Sequence, residues 1–174
     1  GGTTSVQGHM PLLPDNLPDL PVRPVLPDIA AALAANRPVV LQAPPGSGKT
    51  SLLEQTLKYF GSSLRIAIIE GDVQTDLDAQ RIAKLNVPVV QIVTNGGCHL
   101  EAKLVNDALS NFDLAHIDLL VIENVGNLVC PANYDLGEAM KVVIVSTTEG
   151  DDKPLKYPAM FRNASALVIN KTDL

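Results

Sequence analysis

From residue 38 onward the chain alternates short apolar runs with longer mixed stretches. The runs span residues 38–42, 64–70, 88–93, 117–123, 141–146 and 166–170, and within them β-branched residues sit next to one another, as in Ile66-Ala67-Ile68-Ile69 and Val142-Val143-Ile144-Val145. A strand with one face in water alternates apolar with polar residues, whereas a strand covered by helices on both faces is apolar throughout. Six buried strands are therefore predicted. Between them the 3.6-residue spacing of apolar positions predicts helices over 49–60, 76–84, 100–110 and near 154–162, with loops at 43–48, 71–75 and 94–99. Strands and helices in alternation define an α/β fold, here a doubly wound, mostly parallel sheet.

Upstream the pattern changes. Residues 11–27 carry six prolines (Pro11, Pro14, Pro18, Pro21, Pro24 and Pro27), which excludes a helix and predicts an extended lead-in arm. A short helix, Asp28 to Ala35, follows it. Residues 1–10, with Gly8-His9-Met10 at their end, have the composition of a tag remnant and are set aside. The expected division is thus 1–10, an arm and helix at 11–36, and one α/β domain at 37–174. The chain ends at Leu174, directly after the sixth strand, so a covering C-terminal part is expected to be missing.

Composition narrows the partners. With no Trp, three Phe and three Tyr, the core is built from Val, Ile, Leu and Ala, and aromatic surfaces for stacking bases are scarce. A formal net charge of −6 leaves no basic face for phosphate neutralisation, so nucleic acid is not expected as a partner. No apolar run approaches the roughly 18 residues of a membrane span, and the N-terminus lacks a signal-peptide order, so the expectation is a cytoplasmic protein. Two cysteines do not make a disulfide framework and turn attention to metal or redox chemistry.

The first strand runs into Ala43-Pro44-Pro45-Gly46-Ser47-Gly48-Lys49-Thr50, a phosphate loop of the G-x-x-x-x-G-K-[ST] kind with Ala43 in place of the first glycine. Gly46, Ser47 and Gly48 turn backbone N–H groups toward phosphate oxygens, with Ser51 at the start of the helix. Lys49 reaches the β/γ-phosphates, and the Thr50 hydroxyl ligates Mg²⁺. Asp72 and Glu123, at strand ends, are the carboxylates expected to complete the magnesium site; with Lys49 they form the expected catalytic set. Glu123-Asn124-Val125-Gly126 places an acidic residue three before a glycine whose N–H can sense the γ-phosphate. The last strand ends in Asn170-Lys171-Thr172-Asp173, where the Asp carboxylate matches the N1–H and 2-amino donors of guanine, a pair adenine lacks. GTP and GDP are the expected nucleotides. Cys98-His99 and Cys130 fall in two loops at the same sheet edge, and thiolate plus imidazole is a ligand set for Zn²⁺ or Ni²⁺, although three ligands leave a tetrahedral site incomplete. The plainer alternative is a pair of small buried hydrophobes beside a surface His. His116 reads as a surface residue ahead of a strand.

With these residues assembled, the chain from about Gly46 to Leu174 resembles the nickel-incorporation GTPases of NiFe-hydrogenase maturation. The matching stretches are PGSGKTSLLE, IAIIEGDVQTDLDAQRI, GGCHLEAKLVNDAL, LLVIENVGNLVCPANYDLGE, VVIVSTTEGDDKPLKYPAMF and LVINKTDL. The resemblance implies a P-loop GTPase of the SIMIBI type that acts as a metallochaperone, a homodimer holding nickel or zinc at its interface through Cys98, His99 and Cys130. It also implies contacts with hydrogenase maturation accessory proteins and the hydrogenase large subunit, and places Lys153 near the nucleotide and the dimer contact. The family's N-terminal cysteine motif and histidine-rich segment have no counterpart. Residues 16–46 are instead similar to the entry segment of DEAH-type helicases. The competing expectation is an ATPase or helicase-derived fragment, or a chimera joined within the phosphate loop; against it, no Asp-Glu-x-His follows Thr50.

Overall fold

The computed structural model describes residues 38–60, 63–72 and 77–174. The predicted arm and the helix at Asp28–Ala35 lie outside them. Six strands, β1 (Val39–Gln42), β2 (Ile66–Asp72), β3 (Val89–Val93), β4 (Leu119–Glu123), β5 (Met140–Ser146) and β6 (Ala166–Asn170), form one sheet in the order β3-β2-β4-β1-β5-β6. Every pairing is parallel. The helices are α1 (Lys49–Phe60), α2 (Leu77–Ala83), α3 (Ala102–Leu109), α4 (Lys153–Lys156) and α5 (Pro158–Asn163).

The continuous apolar runs of β1, β2, β4 and β5 are explained by two cores, one on each face; β3 and β6, expected to be buried as well, are only partly so, with Val93, Leu167 and Ile169 exposed, because each stands at an end of the sheet with a strand on one side only. Val39, Leu41, Ile66, Ile68 and Val121 pack on one side with Leu53 and Leu57 of α1. Their neighbours in the chain, Val40, Ile69 and Ile122, point to the other side and meet Leu100 with Val105 and Ala108 of α3. Successive strand residues face opposite ways, so both sets must be apolar. A third cluster, Leu128, Ala132, Val143 and Met160, lies beneath α5.

The predicted helix near 154–162 is two. Pro158 disfavours the α conformation for the residue before it, and Tyr157 sits at φ −125° and ψ 52°, outside the helical region. Short 3₁₀ turns at Leu114–His116, Cys130–Asn133 and Thr147–Glu149 were not legible in the apolar spacing. His116 is exposed and bonds Asp113 at 2.7 Å. Among the described residues no helix is long and apolar enough to cross a membrane.

Arg65 and Asp118 tie the entries to β2 and β4 together. The Asp118 carboxylate accepts from the Arg65 guanidinium at 2.9 Å and from its backbone N–H at 2.8 Å. The guanidinium, then the backbone N–H, holds the Asp118 carboxyl down at about 2 from an ordinary 3.8. Because the folded value is the depressed one, the stabilisation is full above about pH 4 and lost as the pH falls through about 2. Asp118→Ala is therefore expected to lower the melting temperature slightly at pH 7, as exposed ion pairs do, and to lower it less at pH 2, where the carboxyl is half protonated. Equal losses at both pH values would show that packing carries the effect.

Candidate nucleotide and metal site

The register of β1 against β4 builds the centre of the site. Leu41 stands level with Glu123, so the carboxylate that ends β4 lies beside the loop that leaves β1. Ala43, where a glycine was expected, is fully buried in the core, a position that accepts a methyl group. Gly46 and Gly48 have φ of +81° and +89°, a region that costs an L side chain energy, and a Cβ on Gly48 would lie 2.5 Å from Asn170 Nδ2. The Ser47 hydroxyl donates to the Pro44 carbonyl at 2.9 Å and closes the turn. The loop thus reaches α1 along a cavity of about 510 Å³, which Gly46, Ser47, Gly48, Lys49, Thr50, Ser51, Asp72, Gly126 and Lys171 help to line.

Lys49 and Thr50 converge on Glu123. The ammonium lies 2.6 Å from Glu123 Oε1, and the Thr50 hydroxyl donates to the same oxygen at 3.1 Å. Glu123 is fully buried, and among the described residues nothing hydrogen-bonds its other oxygen. A divalent cation between Thr50 and Glu123 would match that oxygen's charge, so the donor set fits Mg²⁺. Asp72, at the end of β2, lines the same cavity, and Glu70 stands level with Glu123 on the neighbouring strand.

The end of β6 is fastened to the phosphate loop. Asn170 Nδ2 donates to the Ser47 carbonyl at 2.9 Å and Lys171 Nζ to the Gly46 carbonyl at 2.9 Å, with Lys171 at φ +56° and Asp173 exposed in the following turn. Residues 123 positions apart are thereby held in one place. Lys153, at the head of α4, does not line this cavity; its ammonium lies 6.0 Å from the Tyr157 ring centre.

The structure brings Cys98, His99 and Cys130 together. Cys98 and Cys130 are joined as a disulfide with their Cα atoms 6.1 Å apart, and Cys98 Sγ is 3.6 Å from His99 Nδ1. The His99 ring stacks on Tyr134, centre to centre 3.9 Å, and its Nε2 is buried with no hydrogen-bond partner among the described residues. Where thiolates were expected, the sulfurs are bonded to each other, and in that state no group of three His, Cys, Asp or Glu among the described residues is arranged to hold a metal. Lys141, buried at the start of β5, donates to the Tyr134 carbonyl at 3.0 Å and pairs with Glu138 at 3.2 Å, which fixes the segment carrying the stacked ring.

Sequence reasoning missed Gln42, Asn124, Asn127, Tyr134 and Arg81. Gln42 was visible as the lone polar residue of a buried strand, and the two Asn as capping residues around Gly126. Arg81 lines the cavity while bonded to Glu54 at 3.0 and 3.1 Å, and nothing in its spacing distinguished it from a solvated helix residue. Tyr134 had no signal.

An all-parallel sheet with a glycine-turned loop between its first strand and helix, and a buried carboxylate on the adjacent strand facing the loop's lysine, defines a P-loop nucleotide-binding protein. The chain belongs to the CobW/HypB/UreG family, whose nucleotide-binding domain matches residues 38–174, and within that family to the HypB hydrogenase maturation factors. It is 59% identical over 134 residues, 77% of its length, to the hydrogenase maturation factor HypB of Azotobacter vinelandii, covering 44% of that protein. To the HypB of Escherichia coli K12 it is 51% identical over 146 residues, 83% of its length, covering 50% of that protein. The chain therefore spans about half the length of these curated relatives. Among solved structures, HypB from Helicobacter pylori in complex with nickel superposes with a TM-score of 0.75 at 41% identity, over 88% of this chain and 73% of that one. HypB from Archaeoglobus fulgidus gives 0.74 at 40%, over 87% and 75%. The signal recognition particle receptor FtsY of Elizabethkingia anophelis, with a TM-score of 0.54 at 14% identity over 83% of this chain and 56% of that one, shares the fold.

Proposed function

We propose that this chain is the nucleotide-binding part of a GTP-dependent protein that binds nickel and hands it on for hydrogenase maturation. The observation that carries the reading is the junction of β6 with the phosphate loop: Asn170 and Lys171 grip the carbonyls of Ser47 and Gly46, so Asp173, the residue expected to read guanine, follows directly on the phosphate cradle. In that arrangement the loop N–H groups and Lys49 bind the phosphates, and Thr50, Glu123 and Asp72 would hold Mg²⁺. When bound, Mg²⁺ neutralises charge on the β- and γ-phosphate oxygens. Lys49 exchanges its bond with Glu123 for the phosphates as nucleotide enters. Gly126 lies against Pro45 of the loop, where its N–H can face a γ-phosphate, so the segment after β4 differs between triphosphate and diphosphate.

The cargo is Ni²⁺ or Zn²⁺, taken by Cys98, His99 and Cys130 once the disulfide is reduced. One chain offers three ligands and two chains six, so the reading includes a homodimer with the metal at its two-fold interface. Hydrogenase accessory proteins and the hydrogenase large subunit are the expected partners, in the cytoplasm.

Titration with fluorescent GTP and ATP analogues tests the nucleotide reading: guanine is preferred, whereas equal binding or adenine preference removes it. Asp173→Asn is expected to weaken GTP binding at least about tenfold and to strengthen binding of xanthosine triphosphate, whose 2-oxo group accepts from an amide where the 2-amino group donated to a carboxylate. Wild-type selectivity in this variant would confine Asp173 to a turn-forming role.

A further inference from the structure

Buried amide side chains link the two halves of the site, and one of them, Asn127, bonds both cysteine loops. Asn127 Oδ1 accepts from the backbone N–H groups of Val129 at 2.7 Å and Cys130 at 3.3 Å, while its Nδ2 donates to the Cys98 carbonyl at 3.4 Å. A single amide therefore spans both cysteine loops. The backbone carbonyl of Asn127 in turn accepts from Gln42 Nε2, which also donates to the Val125 carbonyl at 3.2 Å. Gln42 is fully buried and ends β1, one residue before the phosphate loop begins. Between the two carbonyls that Gln42 holds stands Gly126, packed so closely on the loop that a Cβ would lie 3.2 Å from Pro45 Cγ. Asn124 adds a parallel tie, its Oδ1 accepting from the Leu100 N–H at 3.0 Å, two residues after Cys98.

We infer that Asn127 is the positioning residue of the two-cysteine site and that, through Gln42, it carries the state of the phosphate loop to Cys98 and Cys130. Movement of Pro45 or Gly126 on nucleotide binding shifts the 125–127 segment, and Asn127, bonded to Cys98 and Cys130 through their own backbones, shifts the sulfurs relative to one another. Among the described residues Gly126 makes no hydrogen bond to either cysteine loop, and Asn124 reaches only the Leu100 N–H, so Asn127 is the side chain that bonds both. The inference rests on the nucleotide reading above but not on the metal reading.

The test exploits the disulfide, whose formation needs no metal. In exchange with glutathione disulfide, the two thiol S–H bonds break and one protein S–S bond forms; the protein's two electrons and two hydrogens pass to glutathione, giving two glutathione thiols. The equilibrium constant measures how well the folded chain holds the sulfurs together. Asn127→Ala is expected to lower that constant about tenfold, and the isosteric Asn127→Asp, which keeps the acceptor and loses the donor to Cys98, a few-fold. In the wild type the constant differs between saturating GTP analogue and GDP; in Gln42→Met, which fills the same volume without a donor, the difference disappears. Melting temperatures show which variants are folded, and Asn127→Asp carries the test if Asn127→Ala is not. A constant within twofold of wild type in both Asn127 variants, or no nucleotide dependence in the wild type, overturns the proposal. Failure to bind nickel would remove the metal reading and leave this result standing.

Discussion

Lys49→Ala is expected to lower nucleotide affinity by about two to four orders of magnitude and to destabilise the nucleotide-free protein at the same time. The first effect follows from chemistry: a lysine ammonium on phosphate oxygens makes charge-assisted bonds worth roughly 1.5–3 kcal/mol each, and two are lost. The second follows from geometry. Lys49 lies 2.6 Å from a Glu123 carboxylate whose side chain is 1% exposed, so removing the ammonium leaves a buried charge that, among the described residues, only the Thr50 hydroxyl hydrogen-bonds. Breaking a buried pair from one side costs about 3–5 kcal/mol. Replacing the carboxylate as well separates the two effects. Lys49→Ala/Glu123→Gln is expected to recover most of the stability in urea denaturation and none of the nucleotide binding in fluorescence titration. Wild-type affinity in Lys49→Ala would remove the phosphate-loop assignment; wild-type stability would mean that Glu123 finds another partner.

The second large effect concerns the sulfurs. The oxidised protein is expected to bind neither Ni²⁺ nor Zn²⁺ at the two-cysteine site, and the reduced protein to bind one or two such ions at a two-fold interface. Thiols must lose protons to ligate, so uptake releases protons and affinity falls as the pH falls. Cys98→Ser and Cys130→Ser are each expected to weaken binding more than about 100-fold, beyond the 10–100-fold typical of residues that only support ligands. His99→Ala removes the third ligand while leaving both thiols in place. Metal titration and sedimentation of the reduced wild type and the three variants, each with and without a GTP analogue, give affinity and association state together. If the serine variants bind metal and associate as the wild type does, the cysteines are ordinary packed residues. Any effect of nucleotide on metal affinity must appear as an equal effect of metal on nucleotide affinity, which checks the measurement internally.

The chain's own residue order was sufficient for the sheet and the phosphate loop because both are encoded locally. Uninterrupted β-branched runs require cover on both faces, and Gly46-Ser47-Gly48-Lys49-Thr50 between a strand and a helix carries its turn geometry with it. The six strands lie within about two residues of their expected bounds, and Pro158 explains the one helix that divides. Glu123 was legible as a carboxylate of the site from its place at the end of a buried strand, but its ion pair with Lys49 was not.

What the sequence could not contain was proximity between distant loops. The bond from Asn170 to Ser47 depends on β6 and β1 both pairing with β5, which places their C-terminal ends at one edge. The meeting of Cys98 with Cys130 depends on the strand order, which sets β4 between β2 and β1 and brings the loops after β3 and β4 together. Thirty-two residues separate those cysteines in the chain. The sequence put Cys98, His99 and Cys130 in two loops at one sheet edge, but nothing in either loop states that the two sulfurs bond each other, that Tyr134 covers His99, or that Asn127 bonds both loops at once. Local sequence determined which residues could bind phosphate and metal, because that depends on the chemistry of each side chain. Tertiary structure decided how they bond to one another, because parallel strand pairing is long-range and each crossover moves a loop by one or two strand widths.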